Sequence, residues 1–378
     1  MRVTIAIEKF DPRMGGAERY SWDFAQFLQG QGHDVEVICM KAIQTVPPGI
    51  RVHRVKALRF PQALRHLSFA LLHFLYARSL KDSIHMVLGN AFFMDIYQPR
   101  GGIHRSWLEA ENLRFPPRLR RLSLLLRRFM PKNAVQEAIE WWTFRVTRPV
   151  VIAISEMIRE DIRRFYSFPE EKIHLIPNAV DVGMFRQENR EFRAEIRARY
   201  GLRDDEFVFA FIANNPRLKG FGTLVQACSG LAERPFRVLV IGADVSWAKA
   251  RAKEKALGRK FVFGDHAPDI EKILPACDCL VHPSYYDSFS RVVIEALFSG
   301  IPVITTRSTG ASMYVGEGDG RVIPPGDPEA LTCAMDEMLK AGPGGMKPGY
   351  VKAEGQDEAF RKILRVLEGI RPGSGVCG

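Results

Sequence analysis

Short β-branched runs alternate with amphipathic stretches along most of the chain. Residues 2–7, 35–40, 51–55, 85–89 and 150–154 are rich in Val and Ile, bounded by turn residues, and read as strands. Between them, GGAERYSWDFAQFLQGQ carries apolar residues at helical spacing and stops at Gly32, and residues 64–80 keep the same period. The second half repeats this grammar, with strands predicted at 207–213, 236–241, 261–263, 278–282 and 302–305. Helices fall between them, for example at 222–231 and 290–299. Strands separated by helices imply βαβ crossovers and parallel, doubly wound sheets. Pro177 and Asn178 interrupt the pattern within residues 176–181. The expectation is an α/β chain of two Rossmann-like domains facing a central cleft, residues 1–177 and 178–350. After the flexible stretch GPGGMKPG, residues 351–378 hold a last helix (357–368), expected to pack back toward the first domain.

Composition narrows the classes. The 378 residues are 46% hydrophobic and 26% charged, ordinary globular values that exclude disorder, collagen and coiled coil. The longest apolar run, residues 67–77, contains His73 and falls short of the roughly 18–20 residues of a membrane span. The opening MRVTIAIEKFDP meets Glu8 early and reads as a strand, not a signal peptide. Six scattered cysteines without CxxC pairs make neither a disulfide framework nor a zinc ribbon, which points to a reducing, cytoplasmic setting.

Charge is unevenly placed. Residues 1–180 hold 27 Lys/Arg against 17 Asp/Glu, a net of +10, whereas residues 181–378 hold 27 against 26. Such asymmetry suggests that one half faces an anionic partner. The densest stretch runs from Arg114 to Lys132 without a single acid. Wound as a helix, it places Leu119, Leu122, Leu125, Leu126, Phe129 and Met130 on one face and Arg120, Arg121, Arg127 and Arg128 opposite. Together with Arg118 these cations suit an anionic lipid surface, each worth about 1 kcal/mol near it. The alternative is a surface helix whose apolar stripe packs on its own domain. Nucleic acid is disfavoured, because no stacking aromatics interleave with the cations.

Open α/β sheets bind ligands beyond the carboxyl ends of their strands. Four loops there carry candidate chemistry. The first contains Gly15 and Gly16, whose bare backbone can approach an anion or a sugar, although many such turns use glycine for steric reasons alone. The second, NNPRLKG, offers Arg217 and Lys219, a pair suited to a diphosphate or simply a solvated basic loop. The third, residues 242–244, is a short piece of wall. The fourth lies in HPSYYDSFSRVVIEALFSGIPVITT, with Asp287 in the loop and Glu295 eight residues on, inside the following helix. Carboxylates accept hydrogen bonds from sugar hydroxyls, while the N–H groups opening a helix favour phosphate oxygens. Together these groups describe a nucleotide sugar.

The run from Phe261 to Ala330 resembles the donor-binding half of retaining glycosyltransferases of family four, which have the GT-B fold. Pro283, Ser284, Tyr286, Asp287, Phe289, Glu295, Ala296, Gly300, Pro302 and Val303 carry that resemblance. Gly15-Gly16-Ala17-Glu18, Ser155, Ile176-Pro177-Asn178 and Gly326-Asp327-Pro328-Glu329-Ala330 extend it over nearly the whole chain. The opening residues are most similar to the lipopolysaccharide core glucosyltransferase branch, whose members also carry a basic membrane-interacting stretch.

The resemblance implies a role for each matching position. Glu295 would accept the donor's ribose hydroxyls, Asp287 the hydroxyls of the transferred sugar, and the Phe289–Ser290 backbone would address the same sugar and the diphosphate. Lys219, and less directly Arg217, would stabilise the leaving nucleoside diphosphate as catalytic groups. Gly15 and Gly16 would line the donor cleft, with His104 on the acceptor side unless it is a satisfied structural histidine. Two departures stand out: Asp287 is one methylene, about 1.5 Å, shorter than the family's glutamate, and Ser290 replaces a glycine. The expected activity is retaining hexosyl transfer from a nucleotide sugar, a UDP-sugar being the expected donor. The acceptor would be lipopolysaccharide core or another lipid-linked molecule, met from the cytoplasm at the inner face of the membrane. No Asp-x-Asp motif follows a strand, so neither a metal nor another cofactor is expected. Competing readings are a capsule, exopolysaccharide or phospholipid glycosyltransferase, a nucleotide-sugar 2-epimerase, and a non-catalytic membrane-surface protein.

Overall fold

A computed structural model describes residues 1–80, 82–178, 183–242, 245–264, 267, 269–349 and 355–370. The expected junction at 176–181, the wall loop 242–244 and the boundary at 350 lie partly outside the described residues. The chain forms two compact units. The first comprises residues 1–109, 118–178 and 356–378, and the second residues 110–117 and 179–355.

In the first unit the strands are β1 (Arg2–Ala6), β2 (Lys9–Phe10), β3 (Asp34–Cys39), β4 (Lys41–Ala42), β5 (Ile50–Arg54), β6 (Ser83–Val87), β7 (Ile96–Tyr97), β8 (Val150–Ala153) and β9 (Ile173–Leu175). Its helices are α1 (Gly16–Gly30), α2 (Gln62–Ala77), α3 (His104–Asn112), α4 (Arg120–Arg128), α5 (Pro131–Trp142) and α6 (Glu156–Tyr166). Seven strands form one parallel sheet in the order β5-β3-β1-β6-β7-β8-β9, and β2 pairs with β4 separately. The central strands β1, β3 and β6 are buried almost throughout, which explains their continuous apolar composition.

The second unit runs α7 (Arg193–Arg199), β10 (Phe207–Ile212), α8 (Phe221–Gly230), β11 (Phe236–Ile241), α9 (Val245–Glu254), β12 (Phe261–Gly264), α10 (Ile270–Ala276), β13 (Cys279–His282), α11 (Arg291–Phe298), β14 (Val303–Thr306), β15 (Gly320–Ile323) and α12 (Pro328–Ala341). Its parallel sheet has the order β12-β11-β10-β13-β14-β15, so the direction of winding reverses between β10 and β13. The loops that follow those two strands therefore flank the switch point, where a ligand site is expected. Phe209, Phe211, Phe221, Val238 and Val281 lie in the core around these strands.

The last helix, α13 (Gln356–Glu368), belongs to the first unit. Its Phe360 lies 5.0 Å from the Phe24 ring and 5.3 Å from those of Tyr20 and Phe27 on α1.

The structure differs from the sequence reading in two respects. Strands β2, β4, β7, β9 and β15 had no prediction, being two to four residues long, too short for periodicity to register. The basic stretch is also not one helix from Arg114 to Lys132. Pro131 starts α5 and leaves Met130 extended at ψ 132, because a residue before proline is disfavoured in helical geometry. Pro117 opens a short 3₁₀ turn, so α4 proper spans only nine residues.

Candidate functional site

Two loops of the second unit build the central cluster. Gly220 has φ 80, and a Cβ there would lie 1.9 Å from the Pro283 carbonyl oxygen, so only glycine lets the 213–220 loop meet the loop after β13. The Tyr285 amide donates to the Leu218 carbonyl at 3.0 Å and fixes that contact. Consequently Lys219 Nζ reaches Asp287 Oδ2 at 2.5 Å, although 68 residues separate them. The Asp287 amide donates to the Ser308 carbonyl at 2.9 Å, and its own carbonyl accepts from Gly310 at 2.8 Å. The residue is held by both backbone and side chain.

His282, the last residue of β13, completes the cluster. Its Nε2 lies 3.2 Å from Asp287 Oδ2 and 3.1 Å from Ser290 Oγ, while its buried Nδ1 has no partner among the described residues. A proton on Nε2 satisfies this geometry, since the carboxylate can only accept. Burial lowers the His282 pKa against the raising effect of Asp287, favouring the neutral ring. Burial pushes the Asp287 carboxyl up, but Lys219 and His282 together outweigh it and hold it below the ordinary carboxylate range. The site therefore carries an ionised aspartate between an ammonium and a neutral imidazole.

Ser290 sits at φ 70, ψ 90, a left-handed conformation that costs a residue bearing a Cβ. Its hydroxyl turns to His282 and does not cap α11. The opening N–H groups of that helix thus have no cap from this side chain and suit an anion. Phe289 is buried, and its amide faces Asp287 Oδ1 at 3.4 Å. Glu295 lies on α11, where burial raises its pKa and Arg291, 3.6 Å away, opposes the shift. Arg217 leaves the same loop as Lys219 but takes a different direction, its guanidinium 4.9 Å from the Trp247 ring centroid. The sequence reading passed over His282 except as a strand end. The signal was its place between a buried strand and Pro-Ser, where a histidine must find polar partners.

In the first unit, Gly15 and Gly16 open α1. Gly15 is extended, a Cβ there would meet only the flexible end of Glu18, and a Cβ on Gly16 would meet nothing. Neither glycine is demanded by local packing. His104 starts α3 and borders a cavity of about 290 Å³ with Arg100, Gly101, Trp107, Lys132 and Gln136. Burial, then Lys132 and His66, pulls its pKa down to about 4, so it is neutral at pH 7. Its buried Nε2 has no partner among the described residues. The His104 amide donates to Glu140 Oε2 at 2.6 Å, and the Tyr166 hydroxyl donates to Glu140 Oε1 at 2.6 Å. Burial pushes Glu140 up to about 7 despite these bonds.

No residue of α4 is buried. Leu122, Leu125 and Leu126 are 54–61% exposed and Phe129 is 76% exposed, so among the described residues the apolar stripe is left largely uncovered. Arg118 lies in the turn before the helix, and Arg120 and Arg121 open it. Arg128 is paired with Glu137 at 2.8 Å, and Arg127 lies 6.0 Å from the Trp107 ring. Among the described residues, no helix is long and apolar enough to cross a membrane, and no group of three His, Cys, Asp or Glu is arranged for a metal.

Residues 14–183 match the family described as Glycosyltransferase Family 4, and residues 192–353 match Glycosyl transferases group 1. Over 205 residues the chain is 27% identical to an uncharacterised glycosyltransferase of Methanocaldococcus jannaschii, covering 50% of each protein. The chain spans about half the length of the curated relatives it matches. Its fold is similar to WaaG, a glycosyltransferase involved in lipopolysaccharide biosynthesis, with TM-score 0.74 and 18% identity over 96% of this chain and 95% of that one. It is also similar to Anabaena HepE in complex with UDP and glucose, with TM-score 0.69 and 17% identity over 98% of this chain and 100% of the other. The chain thus carries one glycosyltransferase family match in each half, and its two Rossmann-like parallel sheets have the GT-B fold.

Proposed function

We propose that this protein is a retaining, metal-independent hexosyltransferase that uses a nucleotide sugar and acts on lipopolysaccharide core or another lipid-linked acceptor at an anionic membrane surface. The observation that carries the reading is the Lys219–Asp287–His282–Ser290 cluster at the switch point of the second sheet. Asp287, ionised and fixed, accepts hydrogen bonds from hydroxyls of the transferred sugar. Glu295 holds the ribose hydroxyls. As the bond from the anomeric carbon to the diphosphate breaks, negative charge grows on the leaving oxygens. Lys219 and the opening N–H groups of α11 stabilise that charge electrostatically, and Arg217 adds its charge from the same loop. The acceptor oxygen takes the anomeric position from the face the diphosphate leaves, so configuration is retained, and its proton passes to the departing diphosphate.

A UDP-sugar is the donor to try first, since the fold neighbour from Anabaena is seen with UDP and glucose. Lipopolysaccharide is the acceptor class to try first, given the similarity to WaaG and the exposed apolar and basic α4. The test is turnover across a panel of UDP-, GDP- and ADP-sugars, with donor affinity measured in parallel on Glu295→Ala. Turnover with one donor, and at least tenfold weaker donor binding by the variant, supports the reading. Release of an epimerised nucleotide sugar without acceptor, or unchanged affinity in the variant, overturns it.

A further inference from the structure

Helix α2 is turned the opposite way from what its composition favours. Its buried face carries His66 and His73 beside Phe69 and three alanines. Leu64, Leu71 and Leu75 are instead 44–66% exposed. At about 100° per residue these three leucines fall within about 40° of one another, on a single stripe. A helix surrounded only by its own domain and water gains by turning leucine inward and histidine outward. The loop before the helix lies along the same stripe, because the Leu58 amide donates to Ser68 Oγ at 3.0 Å, and Ser68 is one turn on from Leu64. Phe60, within that loop, is 83% exposed.

The charge around the stripe has one sign. No Asp or Glu occurs from residue 37 to residue 81, a stretch that holds eight Lys/Arg. Arg51 and Arg65 are used inside the fold, on Glu36 and Glu8. Lys56 and Arg59 are exposed on the loop that carries Phe60, and among the described residues neither is in an ion pair. Arg78, exposed at the far end of the helix, lies 5.4 Å from the Phe74 ring. The apolar stripe is therefore bounded by cations at both ends. A second copy laid on it in either direction would bring like charges together. An anionic lipid surface suits both features, since acyl chains take the leucines and Phe60 while headgroup phosphates take Lys and Arg. At sixteen residues α2 is too short to cross a bilayer and would lie in its surface.

We infer that α2 and the loop before it form a second lipid-facing surface, distinct from α4, through which Phe60, Leu71 and Leu75 enter the headgroup layer of an anionic membrane and Lys56 and Arg59 meet its phosphates. The two segments belong to one unit, and α5 packs against both α2 and α4. This inference rests on the membrane placement in the proposed function and not on its transfer chemistry.

The experiment floats the full-length protein with phosphatidylserine-containing and with pure phosphatidylcholine vesicles. It compares wild type with Leu71→Gln/Leu75→Gln, with Lys56→Gln/Arg59→Gln, and with the α4 variant Arg118→Gln/Arg120→Gln/Arg121→Gln. Melting temperature checks folding, and sedimentation velocity reads the oligomeric state. The expected result is at least tenfold weaker binding of both α2 variants to the anionic vesicles, with unchanged melting temperature and a monomer throughout. Wild-type affinity in both α2 variants, with loss in the α4 variant alone, would overturn the inference and leave the α4 surface standing. A wild-type dimer that the leucine substitutions dissociate would overturn it by giving the stripe to a second copy. Failure of the wild type to float with either vesicle would overturn the membrane placement as a whole, and donor turnover would be untouched.

Discussion

Lys219 Nζ and Asp287 Oδ2 lie 2.5 Å apart, so a cation and an anion from different loops neutralise each other at the switch point. Their side chains are only 20% and 15% exposed, which makes the pair costly to break from one side. Lys219→Ala is expected to lower transfer at least tenfold, about 1.4 kcal/mol of barrier, and to destabilise the fold by about 2–4 kcal/mol. Lys219→Ala combined with Asp287→Ala should recover part of the lost stability, because no charge is then stranded. Denaturant titration of both variants checks this, and additive losses would refute the pairing.

Ser290 holds a left-handed backbone and a hydrogen bond at once. Ser290→Ala removes the hydroxyl and keeps the strain, whereas Ser290→Gly removes both. The glycine variant is expected to be more stable than the alanine variant by about 1 kcal/mol. Equal unfolding midpoints would mean the backbone relaxes on its own.

Glu140 gives a pH dependence with a definite sign. Its carboxyl is pushed up to about 7 from an ordinary 4.5, so the folded protein holds that proton more tightly than the unfolded chain. The associated stability is present below about 4.5 and is lost as pH rises through about 7. Glu140→Gln, which stays uncharged, is expected to flatten the melting temperature between pH 5 and 8. A slope identical to wild type would remove Glu140 as its source.

The basic stretch makes a quantitative prediction about lipid. Arg118, Arg120 and Arg121 are the informative positions, because they lie together at the start of α4. Replacing all three with Gln is expected to weaken binding to phosphatidylserine-containing vesicles about 100-fold, at roughly 1 kcal/mol per cation. Binding to neutral vesicles should change little, since the exposed leucines remain. Flotation with both vesicle types checks this, and undiminished binding to the anionic vesicles would leave the helix without an electrostatic role.

How much of this was legible follows from the range of each interaction. The major strands and the parallel grammar could be read because β-branched composition and the 3.6 period are local, written within six to sixteen neighbouring residues. The break at Pro131 was also local, and treating residues 114–132 as one helix overlooked a rule already visible in the sequence. Strands such as Ile96–Tyr97 could not be read, because two residues carry no period and pair only through what lies beside them.

The chain's order alone determined that Asp287 follows a strand and that Glu295 lies on the next helix. Only folding decided that Asp287 meets Lys219, that His282 bridges Asp287 and Ser290, and that Arg217 turns instead to Trp247. Those choices depend on Gly220 allowing two loops, 63 residues apart, to touch at backbone distance. Secondary structure is set by neighbours in sequence, whereas charge pairing and the pKa shifts it causes are set by neighbours in space.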